Sequence, residues 1–374
     1  MIAWTSVASR RVSSAKIDSL TGLRFIAAIG VVFSHYEGFF NIDGSHWLFA
    51  LGGLSVTLFF ILSGFVLTIQ YTRGAGEEKY FPIREYVLAR VTRIFPLYWL
   101  MLLVTLAAYL ATDFNISLGG GPETPRKVCS FFVNAFALQA WVPDISTQQF
   151  WNAPGWSVSS EVFFYLLLPC FLRAFAKLHS NTAIISCIAL NWLINWAYFF
   201  VLRHFDISNQ IWTLYALRLP ILSLPAFALG VLLANRYIQN TSRNTVLSMP
   251  MLPILALLIC ASEFLGLDSN LNDSFQTKQL IWVPLFGWLI YSLTNKATIL
   301  YAVFSSKLLI LLGNSSFALY LMHWLPLGLL QRILGIDRNA PLTAMVVIFG
   351  MILTSVALHL LFEAPIRRAA VGRV

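Results

Sequence analysis

Long apolar stretches recur along the chain at roughly 19–40, 52–71, 94–111, 157–172, 181–202, 211–235, 247–266, 279–295, 308–331 and 341–362. Segments bearing Gly, Pro or charge separate them, such as 73–79, 119–125 and 268–273. At 1.5 Å rise per residue, runs of this length cross a hydrocarbon layer about 30 Å thick. The pattern predicts an all-α fold, a polytopic membrane protein built as a bundle of about ten transmembrane helices. A shorter apolar run, 128–142, is too short to span comfortably and reads as re-entrant or interfacial. No internal repeat or low-complexity tract is evident. The expected organisation is a cytoplasmic tail over 1–16, a transmembrane domain over 17–364 and a second cytoplasmic tail over 365–374.

Composition narrows the class. Of 374 residues, 58% are hydrophobic and only 11% are charged, and the mean hydropathy is +0.73. A soluble domain carries roughly a quarter of its residues as Asp, Glu, Lys or Arg, so this chain could not clothe a water-facing surface. The net charge of +9 belongs to no basic stripe interleaved with exposed aromatics, which argues against nucleic acid as a partner. It distributes instead as a membrane orientation signal. With the N-terminus in the cytoplasm and ten helices threaded, seventeen Lys and Arg fall in cytoplasmic segments and six outside. Both termini are then cytoplasmic, 72–93 lies inside and 112–156 outside. The four cysteines are scattered, with no CxxC pair, so neither a disulfide framework nor a metal site is expected. The basic start lacks a small-residue cleavage site, and the first apolar run reads as a retained helix.

Ionisable groups inside a membrane are costly, and by default they are functional candidates. Arg24 and His35 lie eleven residues apart on the first helix. Eleven steps of 100° fall about 20° from three full turns, so the two share a face, separated by roughly 16 Å along the axis. Arg24 then lies toward the cytoplasm and His35 toward the outside. A snorkelling arginine and a satisfied core histidine would give the same pattern. On the second helix, Ser63 and Gly64 interrupt an apolar run; close helix packing explains them as well as a direct role for Ser63. Arg90 and Arg93, three residues apart on one helical face, fit a polyphosphate clamp, although ordinary cytoplasmic anchoring accounts for them nearly as well. The fourth helix opens with Trp156-Ser157 and carries Glu161 ahead of an unbroken apolar run. Trp156 is an ordinary interfacial residue, Ser157 a possible helix cap, and Glu161 either a catalytic group or a helix-to-helix hydrogen bond. In the ninth, Tyr320-Leu321-Met322-His323 places an imidazole in mid-membrane. Arg218 and His359 are buried candidates without a surrounding motif, and His46, His179 and His204 remain unassigned.

These residues fall in an order that resembles the acyltransferase-3 family of integral membrane acyltransferases. The likeness covers essentially the whole chain. It runs through Arg24-x10-His35, Phe59-Phe60-Ile61-Leu62-Ser63-Gly64-Phe65, Arg90-x-x-Arg93-Ile94-x-Pro96, Trp156-Ser157-x-x-x-Glu161, Tyr320-x-x-His323 and Glu363-x-Pro365. The resemblance implies an enzyme of the inner (cytoplasmic) membrane that moves an acyl group, commonly acetyl from cytosolic acetyl-CoA, onto a hydroxyl of an envelope or exported carbohydrate. It implies the stand-alone form, without a fused SGNH hydrolase-like domain. Acetyl-CoA would be a co-substrate, with no bound cofactor. The partners would be the acyl-CoA donor, a carbohydrate acceptor in free or lipid-linked form, membrane lipid and other polysaccharide-assembly proteins. His35 would be the general base, and Arg24 would place the donor or steady developing charge; Glu161, at matching depth at the external end of its own helix, is expected to orient His35. Arg90, Arg93 and Ser63 would bind the donor, with Ser157, Trp156, Tyr320 and His323 as secondary candidates. The competing readings are a transporter or flippase for a carbohydrate intermediate, a non-catalytic subunit of an export complex, and transfer of succinyl in place of acetyl.

Overall fold

A computed structural model describes residues 17–40, 46–72, 81–112, 124–175, 178, 180–204, 218–240, 275–332, 334–335 and 340–371. Every regular element among them is helical. In chain order these are α1 (Asp18–His35), α2 (His46–Tyr71), α3 (Ile83–Thr112), the short α4 (Thr124–Ala135) and α5 (Ile145–Gln149), α6 (Gly155–Phe175), α7 (Asn181–His204), α8 (Pro220–Asn240), α9 (Phe275–Ser292), the short α10 (Ile299–Phe304), α11 (Lys307–Met322), α12 (Trp324–Arg332), α13 (Pro341–Leu358) and α14 (Ala364–Val371). Among the described residues, five helices are long and apolar enough to cross a membrane. A bent pair, Lys307–Met322 with Trp324–Gln331, makes a sixth. The polar residues Asp18, Arg24 and His35 dilute α1, which packs inside the same bundle against α2 and α11. The expected helix at 247–266 lies outside the described residues.

Close backbone approach organises the centre. In lipid, helices associate through packing and small residues rather than through hydrophobic burial. α2 crosses α8 with Gly64 against the Phe227 carbonyl and Gly230 against the Ile61 carbonyl; a methyl group added at either glycine would overlap that oxygen. α1 meets its neighbours in the same way, with Gly313 of α11 against the Thr21 carbonyl and Gly22 against the Phe304 carbonyl. Phe164 stacks on Phe227 at 5.0 Å beside the first crossing and meets Phe60 edge-on at 5.1 Å. The two crossings hold α1, α2, α8 and α11 in fixed register.

Three features differ from the expected spans, each for a local reason. The apolar run 308–331 is not one helix: it breaks at His323 and bends by 44°. Pro326 follows three residues later, and its missing N–H removes the bond that would continue the ladder from Met322. α3 begins at Ile83, just after Pro82, so residues 83–93 extend the helix rather than belonging to the connection before it. The last span ends in a π-turn, His359–Glu363, ahead of Pro365. There the His359 Nδ1 lies 3.0 Å from a Glu363 oxygen, and Arg367 reaches the other oxygen at 3.4 Å.

The run 128–142 does not span. It forms α4, a turn at Ala137 with φ of 54°, and a 3-10 turn at Gln139–Trp141. Asn134 donates to the Ser130 and Thr147 carbonyls at 2.9 and 3.0 Å, and Gln139 donates to the Tyr98 hydroxyl and the Gly155 carbonyl at 3.0 and 2.6 Å. These bonds satisfy irregular backbone where it meets the bundle and tie this segment to the start of α6.

Candidate active site

Five helices bring polar side chains to one cavity. Arg24 of α1, Ser63 of α2, Arg93 of α3, and Ser157 and Glu161 of α6 line it, together with Tyr320 of α11 and an apolar wall of Val56, Phe59 and Phe60. The empty space, open mouth included, is about 550 Å³. Glu161 accepts a hydrogen bond from the Ser63 hydroxyl at 2.9 Å and another from Tyr165, one turn along the same helix. Arg24 stands in the field of Glu161, Tyr165 and Arg93, and Arg93 faces Tyr165, Glu363 and Glu161. Two guanidinium groups on the wall against one carboxylate leave the cavity with a positive excess.

Arg90 is set apart from Arg93. Its guanidinium carbon lies 5.9, 6.0 and 5.6 Å from the ring centres of Tyr71, Tyr86 and Tyr165, and its buried Nε makes no hydrogen bond. Arg90 is absent from the cavity wall, so Arg93 alone of this pair meets what the cavity holds.

At the far end of α1, His35 does not meet Glu161. The expected pairing is replaced by contacts that hold both groups elsewhere: the carboxylate by Ser63 and Tyr165, the imidazole by a second histidine. His323 Nε2 lies 3.1 Å from His35 Nδ1, and the two rings are 5.0 Å apart. The bend at His323 sets this up, because the ring turns back until its Nδ1 reaches the Tyr320 carbonyl at 2.6 Å. A carbonyl only accepts, so His323 Nδ1 carries the proton and, in the neutral ring, Nε2 is a bare acceptor. His35 Nδ1 must then donate, which also suits the Val31 carbonyl 3.1 Å away. This leaves the lone pair on His35 Nε2. Among the described residues nothing bonds to that atom, and Trp324 closes on the ring edge-on at 5.3 Å.

Tyr320 links the two ends. Its hydroxyl meets Ser157 Oγ at 2.7 Å and donates to the Pro154 carbonyl at 3.1 Å, while its own carbonyl orients His323. Ser157 thus bonds Tyr320 as well as the Pro154 carbonyl behind it, at 3.1 Å. Trp156 packs edge-on against Phe60, 6.4 Å between centroids. Arg218, which carries no sequence motif, lies 5.9 Å over the Trp156 ring.

An all-helical membrane bundle thus holds two buried arginines and a carboxylate around one cavity, and an oriented imidazole pair beyond its wall, linked to it through Tyr320. The acyltransferase-domain family model matches residues 17–360: the chain belongs to the acyltransferase-3 family. It is 27% identical to the acyltransferase MdmB of Streptomyces mycarofaciens over 345 residues, covering 86% of this chain and 81% of that one. Identity to the peptidoglycan O-acetyltransferase OatA of Listeria monocytogenes is 23% over 372 residues; 96% of this chain matches, but only 57% of OatA. Identity to the exopolysaccharide production protein ExoZ of Rhizobium meliloti is 24%, across 87% of this chain and 92% of that one. No solved structure matches.

Proposed function

We propose that this protein is an inner-membrane O-acetyltransferase that moves acetyl from cytosolic acetyl-CoA to a hydroxyl of an exopolysaccharide or another envelope glycan, or of its lipid-linked precursor. The observation that carries the reading is His35, bonded at Nδ1 to His323 and at Nε2 to none of the described residues, on the helix that also supplies Arg24 to the cavity. His35 Nε2 takes the proton of the acceptor hydroxyl as its oxygen attacks the thioester carbonyl. The tetrahedral intermediate collapses, the carbon–sulfur bond breaks, and the imidazolium returns the proton to the departing thiolate. Arg24 and Arg93 hold the anionic part of the donor at the other end of α1. Glu161, its carboxylate fixed by Ser63 and Tyr165, offsets part of the arginines' charge across the cavity. The relatives named for O-acetylation and exopolysaccharide production support this substrate class.

Two experiments test it. Purified protein supplied with acetyl-CoA and exported glycan should release free CoA thiol, and His35→Gln should not. An equal rate in a folded His35→Gln protein would contradict the base assignment. For orientation, single cysteines at Gly76 and Gly120 should differ, with an impermeant thiol reagent added outside reaching only the second. Labelling of Gly76 from outside would reverse the topology.

A further inference from the structure

Arg218, like Arg90 in its cage of tyrosine rings, is held by neutral groups, unlike the arginines of the cavity wall. Arg24 and Arg93 share the field of Glu161, and Arg367 pairs with Glu363. Arg218 has two neutral partners. The Gln149 amide, oriented with its oxygen inward, accepts from both terminal nitrogens at 2.8 and 2.7 Å, and the Trp156 ring lies beneath the guanidinium. Among the described residues no carboxylate forms an ion pair with it. Its electrostatic neighbours are Tyr320 and His35. A guanidinium has five N–H donors; Gln149 engages two nitrogens and leaves both donors and the whole charge unmatched. Such a charge in a partly desolvated setting calls for an anion.

The mount is built. Gln149 ends α5, whose first turn is capped by Asp144 accepting from the Ser146 and Thr147 amides at 3.3 and 3.0 Å. Asn134 ties the same turn to α4 through the Thr147 carbonyl, and Gln148 donates to the Val142 carbonyl at 3.0 Å. The position of the charge decides what it serves. Arg218 does not line the cavity of Arg24, Arg93 and Glu161; Tyr320 does, and Tyr320 also faces Arg218. The donor side already has two arginines, whereas Arg218 shares the field of His35, where the acceptor hydroxyl is deprotonated.

We propose that Arg218, presented by Gln149 and Trp156, binds a carboxylate or phosphate carried by the acyl acceptor close to the hydroxyl that is esterified. The acceptor is then an acidic glycan, and the bidentate fork of Arg218 fixes its orientation before transfer. This inference rests on the reading of His35 as the base at the acceptor hydroxyl. Glutamine at 149 is part of the device, because a carboxylate there would neutralise the arginine from within.

The test is binding, not turnover. Thermal unfolding of the purified full-length chain is followed in sodium glucuronate, inorganic phosphate and glucose, with sodium chloride matching ionic strength. A ligand of the folded state raises the midpoint with concentration. One or both anions should raise it and glucose should not; a response to glucuronate alone marks a carboxylate, and to phosphate alone a phosphate. Arg218→Gln should weaken the anion roughly ten- to a hundredfold, and Gln149→Glu should abolish the response with Arg218 still present. His35→Gln should keep the response, so failure of the base assignment and failure of this site are read separately. No anion-dependent rise in the wild type would overturn the proposal, and so would a rise that survives in either the Arg218 or the Gln149 variant.

Discussion

The two ends of α1 solve different problems with different chemistry. At Arg24 the surroundings are ionic, with Arg93 and Glu161 on the same cavity wall and Tyr165 behind them. At His35 they are a chain of directed hydrogen bonds from the Tyr320 carbonyl through His323 to the imidazole. Charge is suited to holding a polyanionic donor, whose phosphates are strong acceptors wherever they lie within reach. Base catalysis needs one nitrogen bare and aimed, and a fixed tautomer provides that without a second charge. A carboxylate beside His35 would also orient the ring, but in the structure Glu161 is held by Ser63 and Tyr165 instead.

Removing the base should have the largest effect. His35→Gln keeps hydrogen-bonding capacity but cannot cycle a proton, and its rate of CoA release should fall roughly 10²–10⁴-fold. His323→Phe should come next: it deletes the acceptor that fixes the tautomer and should lower kcat roughly ten- to a hundredfold, as loss of an orienting partner does for a metal-bound histidine. KM for donor should hold, and His323→Gln, which keeps an acceptor, should recover part of the loss. Failure of donor KM to hold would merge the two ends into one site. Arg93→Ala should do the reverse, raising donor KM about tenfold or more through loss of charge-assisted bonds, with Arg93→Lys recovering part.

Sequence reasoning reached the Arg24 end more fully than the His35 end. Periodicity on one helix placed Arg24 and His35 on a shared face, and three-residue spacing put Arg93 on a helical face. It did not separate Arg90, because only the folded positions of Tyr71, Tyr86 and Tyr165 reveal the ring cage. Matching depth alone pairs Glu161 with His35, and depth along a helix says nothing about the direction in which a side chain points. The His35–His323 contact joins residues 288 apart and depends on a bend at Pro326 that the apolar run 308–331 conceals. Arg218 had no motif at all; its meaning comes from Gln149, a residue with no signal of its own. Among the described residues the apolar runs are helical, the run 308–331 breaks before Pro326, and the helix start after Pro82 and the turn before Pro365 lie outside the apolar pattern.

Smaller effects probe the frame that keeps the ends apart. Gly230→Val forces a branched side chain against the Ile61 carbonyl; overpacking of this kind costs about 1–3 kcal/mol, read as a lower thermal midpoint in detergent. A midpoint equal to wild type would mean that α2 and α8 are free to separate. The smallest change expected is at Asp144, outside the spanning segments. Burial raises its carboxyl, but hydrogen bonds from the Thr147 and Ser146 side chains and amides outweigh burial and hold it below the ordinary Asp value. A carboxyl held low stabilises the fold above its unfolded pKa of about 3.9 and loses that contribution as pH falls through and below this value. Asp144→Ala should cost about 0.5–2 kcal/mol at neutral pH, with the gap to wild type closing as the medium is acidified. A gap that persists unchanged at low pH would remove the carboxylate from the explanation.

The tautomer of His35 is the most direct measure of the difference between the two ends. Nitrogen-15 NMR of histidine-labelled protein at neutral pH, with His35→Gln and His323→Gln to assign the signals, distinguishes a protonated from a bare ring nitrogen. His35 and His323 should both be neutral with the proton on Nδ1, and the His35 population should redistribute in the His323→Gln protein. A His35 ring protonated on Nε2 in the wild type would leave no lone pair for the acceptor hydroxyl and would contradict its role as the base.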